Sequence, residues 1–155
     1  MKPVERLLGE YAADHQHPFN RRIHTLCVPA IAVSLLGLLA SLPVPGSLRA
    51  MAPAANWALF LLAGALAWYL WLSPRLAAGM AIAAALAMLL VAALSRLPGP
   101  LWLSSGVLFL LAWAGQFAGH AAEDRRPSFL RDLRFLLIGP LWLLAELYRR
   151  LHLRV

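Results

Sequence analysis

The side chains best suited to chemistry in this sequence are four histidines that fall in two short polar blocks, His15, His17 and His24 near the start and His120 far along the chain. The first block, YAADHQHPFNRRIH from Tyr11 to His24, also carries Asp14, Asn20, Arg21 and Arg22. The second, QFAGHAAED, places Gln116, His120 and Glu123 at i, i+4 and i+7, one stripe of a helix if the helix continues that far. Neutral imidazole suits Fe, Zn, Cu and Ni, and an added carboxylate with open positions is the donor set of non-haem Fe(II) oxygenases. No HExxH motif and no CxxC pair is present, so the usual zinc signatures are missing.

The elements that must position these groups are apolar. The 155 residues are 61% hydrophobic, the mean hydropathy is +0.69, and the composition reads as an all-α polytopic membrane protein. A hydrocarbon core about 30 Å thick takes about 20 apolar residues to cross as helix. Four runs meet that length, at about residues 23–42, 54–73, 76–95 and 101–120. They are separated by Pro43-Val44-Pro45-Gly46, by Pro74-Arg75 and by Leu97-Pro98-Gly99-Pro100, segments rich in helix breakers. A shorter apolar run follows, interrupted by Gly139-Pro140, and predicts an interfacial or re-entrant helix over about 128–151. With an N-terminal cytoplasmic or interfacial helix before the first span, the chain reads as one integral-membrane domain over 1–155. Acidic residues Glu5, Glu10 and Asp14 precede the first apolar run, which therefore does not read as a cleavable signal peptide.

The fourteen Lys and Arg fix the expected orientation. All except Arg49 and Arg96 fall on one side of a four-span chain, so the positive-inside rule puts both termini in the cytoplasm. The net charge of +7 then calls for anionic lipid headgroups, and no nucleic-acid motif accompanies it. The composition, rich in Ala, Leu, Arg and Pro, points to a bacterial inner membrane. Cys27 stands alone inside an apolar run and reads as a small buried hydrophobe.

Four crossings return the end of the last span to the face where the first begins, which brings His120 to the side of His15, His17 and His24. His15 and His24 are nine residues apart and would face opposite ways on an unbroken helix, but Pro18 disfavours helix at His17 and predicts a bend that folds one segment towards the other. Tyr11 shares a face with His15 before the bend, and Asn20 with His24 after it. Asn20 and Gln116 are positioned to fix imidazole orientation. His17, beside Pro18, and His152, in the basic tail RRLHLRV, read as surface residues. Glu146 reads as an ion-pair partner of Arg149 or Arg150, and the tryptophans as interfacial anchors or packing residues.

Tyr11, His15, Asn20 and His24 followed by Val28-Pro29, together with the block QFAGHAAEDRRPSFLRDLRFLLIGPLWLL from Gln116 to Leu144, resemble the small membrane proteins typified by the fungal 2-hydroxy fatty acid dioxygenase of phytosphingosine alpha-oxidation. The middle of the chain is similar only in hydropathy. The resemblance implies an enzyme that uses Fe(2+) and O2 to convert a 2-hydroxy fatty acid into the acid one carbon shorter with release of carbon dioxide. It implies His15, His24 and His120 as metal ligands and Tyr11, Asn20, Gln116 and Glu123 as supporting positions. The fungal pattern has its acidic residue four positions after the histidine; here Glu123 is three after and Asp124 four after, and either can share the face. Arg125, Arg126 or Arg22 can hold the substrate carboxylate by charge-assisted hydrogen bonds.

The expected partners are thus a 2-hydroxy fatty acid, O2 and membrane lipids. A competing expectation is a non-enzymatic lipid-binding or scaffold protein whose histidines satisfy interfacial hydrogen bonds. A transporter fits less well, since no inverted repeat is visible and no charge lies near the centre of a span.

Overall fold

The computed structural model describes residues 3–13, 15–122 and 134–153, and the described residues form helices joined by short loops. α1 (Pro3–Ala13) is amphipathic: Val4, Leu7, Leu8 and Tyr11 recur at helical spacing and are its buried residues. It stops ahead of Pro18, as the bend requires. His17 is extended, and its Nδ1 accepts a hydrogen bond from the Phe19 amide at 3.3 Å, capping α2 (Pro18–Ala40) with Pro18 in the first turn. α2 therefore begins five residues before the apolar run itself. After the Pro43–Pro45 break come α3 (Gly46–Met51), α4 (Trp57–Leu72), α5 (Pro74–Leu94), α6 (Leu101–Ala121) and α7 (Arg134–Arg150).

α2, α5 and α6 are long and apolar enough to cross a membrane. α4 differs from the expected second span. The apolar run from Ala54 becomes helical only at Trp57, because Asn56 is held extended and its Oδ1 accepts from the Leu59 amide at 3.1 Å. The resulting 16 residues reach about 24 Å, short of the roughly 30 Å of a hydrocarbon core. At its other end Ser73 both terminates α4 and caps α5 through its hydroxyl, leaving a turn of one residue. Leu26, Trp71 and Leu110 are at least 70% exposed on the outer faces of these helices, a disposition suited to hydrocarbon.

α2 and α6 pack through a seam of small residues. Gly37 lies against Ser105, a Cβ added at Gly115 would sit 2.6 Å from Cys27 Sγ, and one added at Gly119 would sit 2.6 Å from Asn20 Oδ1. The pairs rise along α2 as they fall along α6, so the helices are antiparallel. This register sets the start of α2 level with the end of α6. At the same end of the bundle, the Tyr69 hydroxyl of α4 donates to Leu137 O at 2.7 Å, and the Tyr148 hydroxyl of α7 to Arg75 O at 3.4 Å.

The apolar core is divided. One cluster joins α1 and α7 to the α4–α5 turn, with Leu8, Leu76, Ile138, Leu141 and Trp142 among its most buried members. The other, at the far end, contains Val33, Leu36, Ala58 and Val91. Between them the helices enclose a cavity.

Candidate metal centre

Three elements bring three imidazoles together at the end closed by α1 and α7. His15 comes from the bend after α1, His24 from the second turn of α2 and His120 from the last turn of α6. All are at most 4% exposed. Their ring centroids are 4.1 Å apart for His15 and His24, 5.2 Å for His15 and His120, and 5.0 Å for His24 and His120. One nitrogen from each lies within 4.8 Å of the other two, an arrangement that can hold a metal ion.

The hydrogen bonds fix the tautomers. His15 Nδ1 lies 2.6 Å from Tyr11 O, and His24 Nδ1 lies 3.1 Å from Asn20 O. A carbonyl oxygen can only accept, so both Nδ1 atoms carry hydrogen, and in a neutral ring it is then Nε2 that offers the lone pair. Those two Nε2 atoms face each other at 2.8 Å. Two lone pairs at that separation repel unless an electrophile sits between or beside them, and a divalent ion satisfies both at once. Nitrogens bound to one ion at about 2.1 Å are at most about 4.2 Å apart, so the His15–His24 pair is already within range, and the three nitrogens together lie within 4.8 Å of one another. The donor set therefore fits a first-row transition metal.

The sequence expects Asn20 to orient His24 and Tyr11 to lie beside His15; the structure places both there, with a difference of means. Orientation comes from the backbone carbonyls of Asn20 and Tyr11, while the Tyr11 ring stacks on His15 at 4.2 Å and 16°. Burial raises the Tyr11 phenol above its ordinary ionisation range, so it is neutral. Gln116 is buried one turn before His120, and its Oε1 has no hydrogen-bond partner among the described residues. His17 and His152 are exposed. Cys27 is half-buried against Gly115. Glu123, Asp124, Arg125 and Arg126 lie outside the described residues.

Sequence reasoning missed Trp142 and underread Arg21. Trp142 is 3% exposed, with its ring 5.5 Å from Tyr11 and 5.9 Å from His15. The Arg21 guanidinium lies 5.6 Å from the centroid of that indole and donates to Glu146 at 3.1 Å, tying α2 to α7. Glu146 also pairs with Arg149 at 2.9 Å, as its helical spacing predicts. The signal was present in the i, i+4 spacing of Trp142 and Glu146, which puts a charge and an aromatic on one face of α7.

The histidines open onto a cavity of about 820 Å³ that runs between α2, α4, α5 and α7. Its walls are overwhelmingly apolar, and its polar groups gather at the histidine end, where Arg21, Arg22 and Arg150 also line it. Size and lining are those of a small-molecule site with one polar pole.

Fold and site together define a helical, membrane-associated protein with a buried histidine cluster able to hold a metal ion. Residues 1–151 match the model of the Mpo1-like family, described as 2-hydroxy-palmitic acid dioxygenase Mpo1-like, and the chain belongs to that family. The match covers the middle of the chain as well as the two end blocks that carry the resemblance. No curated protein and no solved structure shows significant similarity to it.

Proposed function

We propose that the protein is an Fe(II)-dependent dioxygenase that converts a 2-hydroxy fatty acid and O2 into the acid one carbon shorter, carbon dioxide and water. The observation that carries this reading is the convergence of His15, His24 and His120 at the polar end of an apolar cavity. The family name supports the substrate class. In the reaction the C1–C2 bond breaks, C1 leaves as carbon dioxide, C2 becomes the new carboxyl carbon, and O2 takes up the four electrons.

Iron held by His15, His24 and His120 would supply open coordination positions and electrons for the activation of O2. The protein's own residues do the rest. The Tyr11 and Asn20 carbonyls hold Nε2 of His15 and His24 towards one point, and the Tyr11 ring keeps His15 from turning. Apolar walls exclude water from the acyl chain, and Arg22 at the cavity lining meets the substrate carboxylate. Glu123 or Asp124 supplies a supporting carboxylate.

In this reading α4 completes four crossings, the bilayer thinning to meet its shorter length, with both termini on the cytoplasmic side of a bacterial inner membrane. The test is metal analysis of anaerobically purified protein together with product detection from 2-hydroxy fatty acids with and without added Fe(II). Loss of both metal and product in His15→Ala, His24→Ala and His120→Ala is expected. Wild-type iron in all three variants would overturn the assignment, and a metal-free wild type that still binds lipid would favour a binding or scaffold protein.

A further inference from the structure

The cavity separates the two core clusters because of what stands on one face of α5. Leu76, Met80, Ala84, Ala87 and Val91 recur at helical spacing along that face; Leu76, Met80 and Val91 are buried, each packed into one cluster or the other. Ala84 and Ala87, between them, are only half-buried and line the cavity, Ala87 where it meets the far cluster. Leu, Val or Met at these two positions would fill the gap as at their neighbours. Alanine leaves it open.

The gap has a polar pole and an apolar end. It starts at the histidines, beside Arg21 and Arg22, and ends against Val33 and Leu36, which are packed with Val91. From His24 to Leu36 is twelve residues of α2, about 18 Å of helix axis. A saturated chain advances about 1.25 Å per carbon, given C–C bonds near 1.5 Å and a tetrahedral zigzag, so about fourteen carbons span that length. Leu61, Leu86 and Leu90 line the gap and are also exposed on the outer surface, so it opens sideways between the helices. Arg21 is already paired with Glu146 at this end, which leaves Arg22 for a ligand anion, and a single linear chain with an anionic head fits the gap: head at the imidazoles and Arg22, body over the two alanines, entry from the side.

The geometry points to Ala84 and Ala87 as the specificity-determining positions that hold open an acyl groove for about fourteen carbons, a proposal that rests on the 2-hydroxy fatty acid reading above. Val91 lies seven residues beyond Ala84 and four beyond Ala87, or about 10 Å and about 6 Å. A phenylalanine at Ala84 therefore cuts off more of the groove than one at Ala87.

The test uses 2-hydroxy acids with a terminal photoactivatable diazirine, bound to the full-length protein, with adducts located by peptide mass spectrometry. A probe of about eight carbons reaches about 10 Å, the level of Ile31, and one of about fourteen carbons reaches Leu36. The expected result is that adducts advance from near Val28 and Ile31 to Val33, Leu36 and Val91 as the probe lengthens. Ala84→Phe should reduce the far-end adducts of the longer probe by about tenfold or more, the scale of overpacking a filled site. Ala87→Phe should move them back by a smaller distance, and Ala85→Phe, on the exposed face, should leave them in place. Ala84→Leu serves if the phenylalanine variant does not fold, and the wild-type probe series tests the groove itself without any variant. Adducts that do not advance with probe length, or that stay at Leu36 and Val91 in folded Ala84→Phe, overturn the groove. Product formation from unlabelled acid is measured separately: advancing adducts without turnover leave the groove standing and remove the oxygenase, while turnover without them does the reverse.

Discussion

Gly119→Ala tests whether the α2–α6 seam sets the geometry of the histidine cluster. The added methyl would lie 2.6 Å from Asn20 Oδ1 and 3.1 and 3.3 Å from Ile23 Cγ2 and Cβ. Ordinary contacts need roughly half an ångström or more beyond those values, and the branched Ile23 in the helix cannot swing aside cheaply. The helices must part beside His120 and one turn from His24. A shift of about 0.5 Å is already the tolerance of a working site. Overpacking of this kind costs about 1–3 kcal/mol, against a helix-propensity gain of about 1 kcal/mol for replacing glycine with alanine. Gly106→Ala, on the same helix with nothing within 4 Å of the new methyl, keeps the gain and escapes the clash. Thermal unfolding in detergent and bound-metal stoichiometry are measured on both. The Gly119 variant should be less stable than the Gly106 variant by about 1–3 kcal/mol and bind metal about tenfold or more weakly. Equal stability and equal metal content in the two would refute the link between seam and site.

His17→Ala should keep wild-type metal content while losing about 1 kcal/mol of stability, since His17 is exposed and caps α2 through the Phe19 amide; metal analysis and melting check it, and lost metal would make His17 a ligand. Stripping metal with a chelator should lower the melting temperature, because an ion at a hundred times its dissociation constant contributes about 2.7 kcal/mol to the folded state; no change on stripping and reloading would count against a site in the folded protein.

Much of the site was legible because its parts obey short-range rules. Pro18 announced the bend, helical spacing paired Asn20 with His24, and alternating crossings predicted that His120 returns to the first histidines. The span lengths were less legible. Asn56 looks like one polar residue in an apolar run, yet its cap costs α4 its first turn. Trp142 was hidden for a different reason: a tryptophan near a membrane boundary has two common uses, and only the docking of α7 on α1 decides between them. The groove was hidden most completely, since alanines at 84 and 87 are unremarkable in a chain so rich in alanine and acquire meaning only between Met80 and Val91.

The antiparallel pairing of α2 with α6 also has a consequence for how the chain is made. α4 and α5 follow one another through a single turn residue and can close as a hairpin as soon as both exist, at little cost in loop entropy. α2 emerges earlier but finds its small-residue partner only after α6 has been synthesised. Its histidine must wait with it. The three nitrogens able to hold an ion are thus gathered from helices made early and late in synthesis, and an ion held by all three would mark a molecule whose assembly is finished.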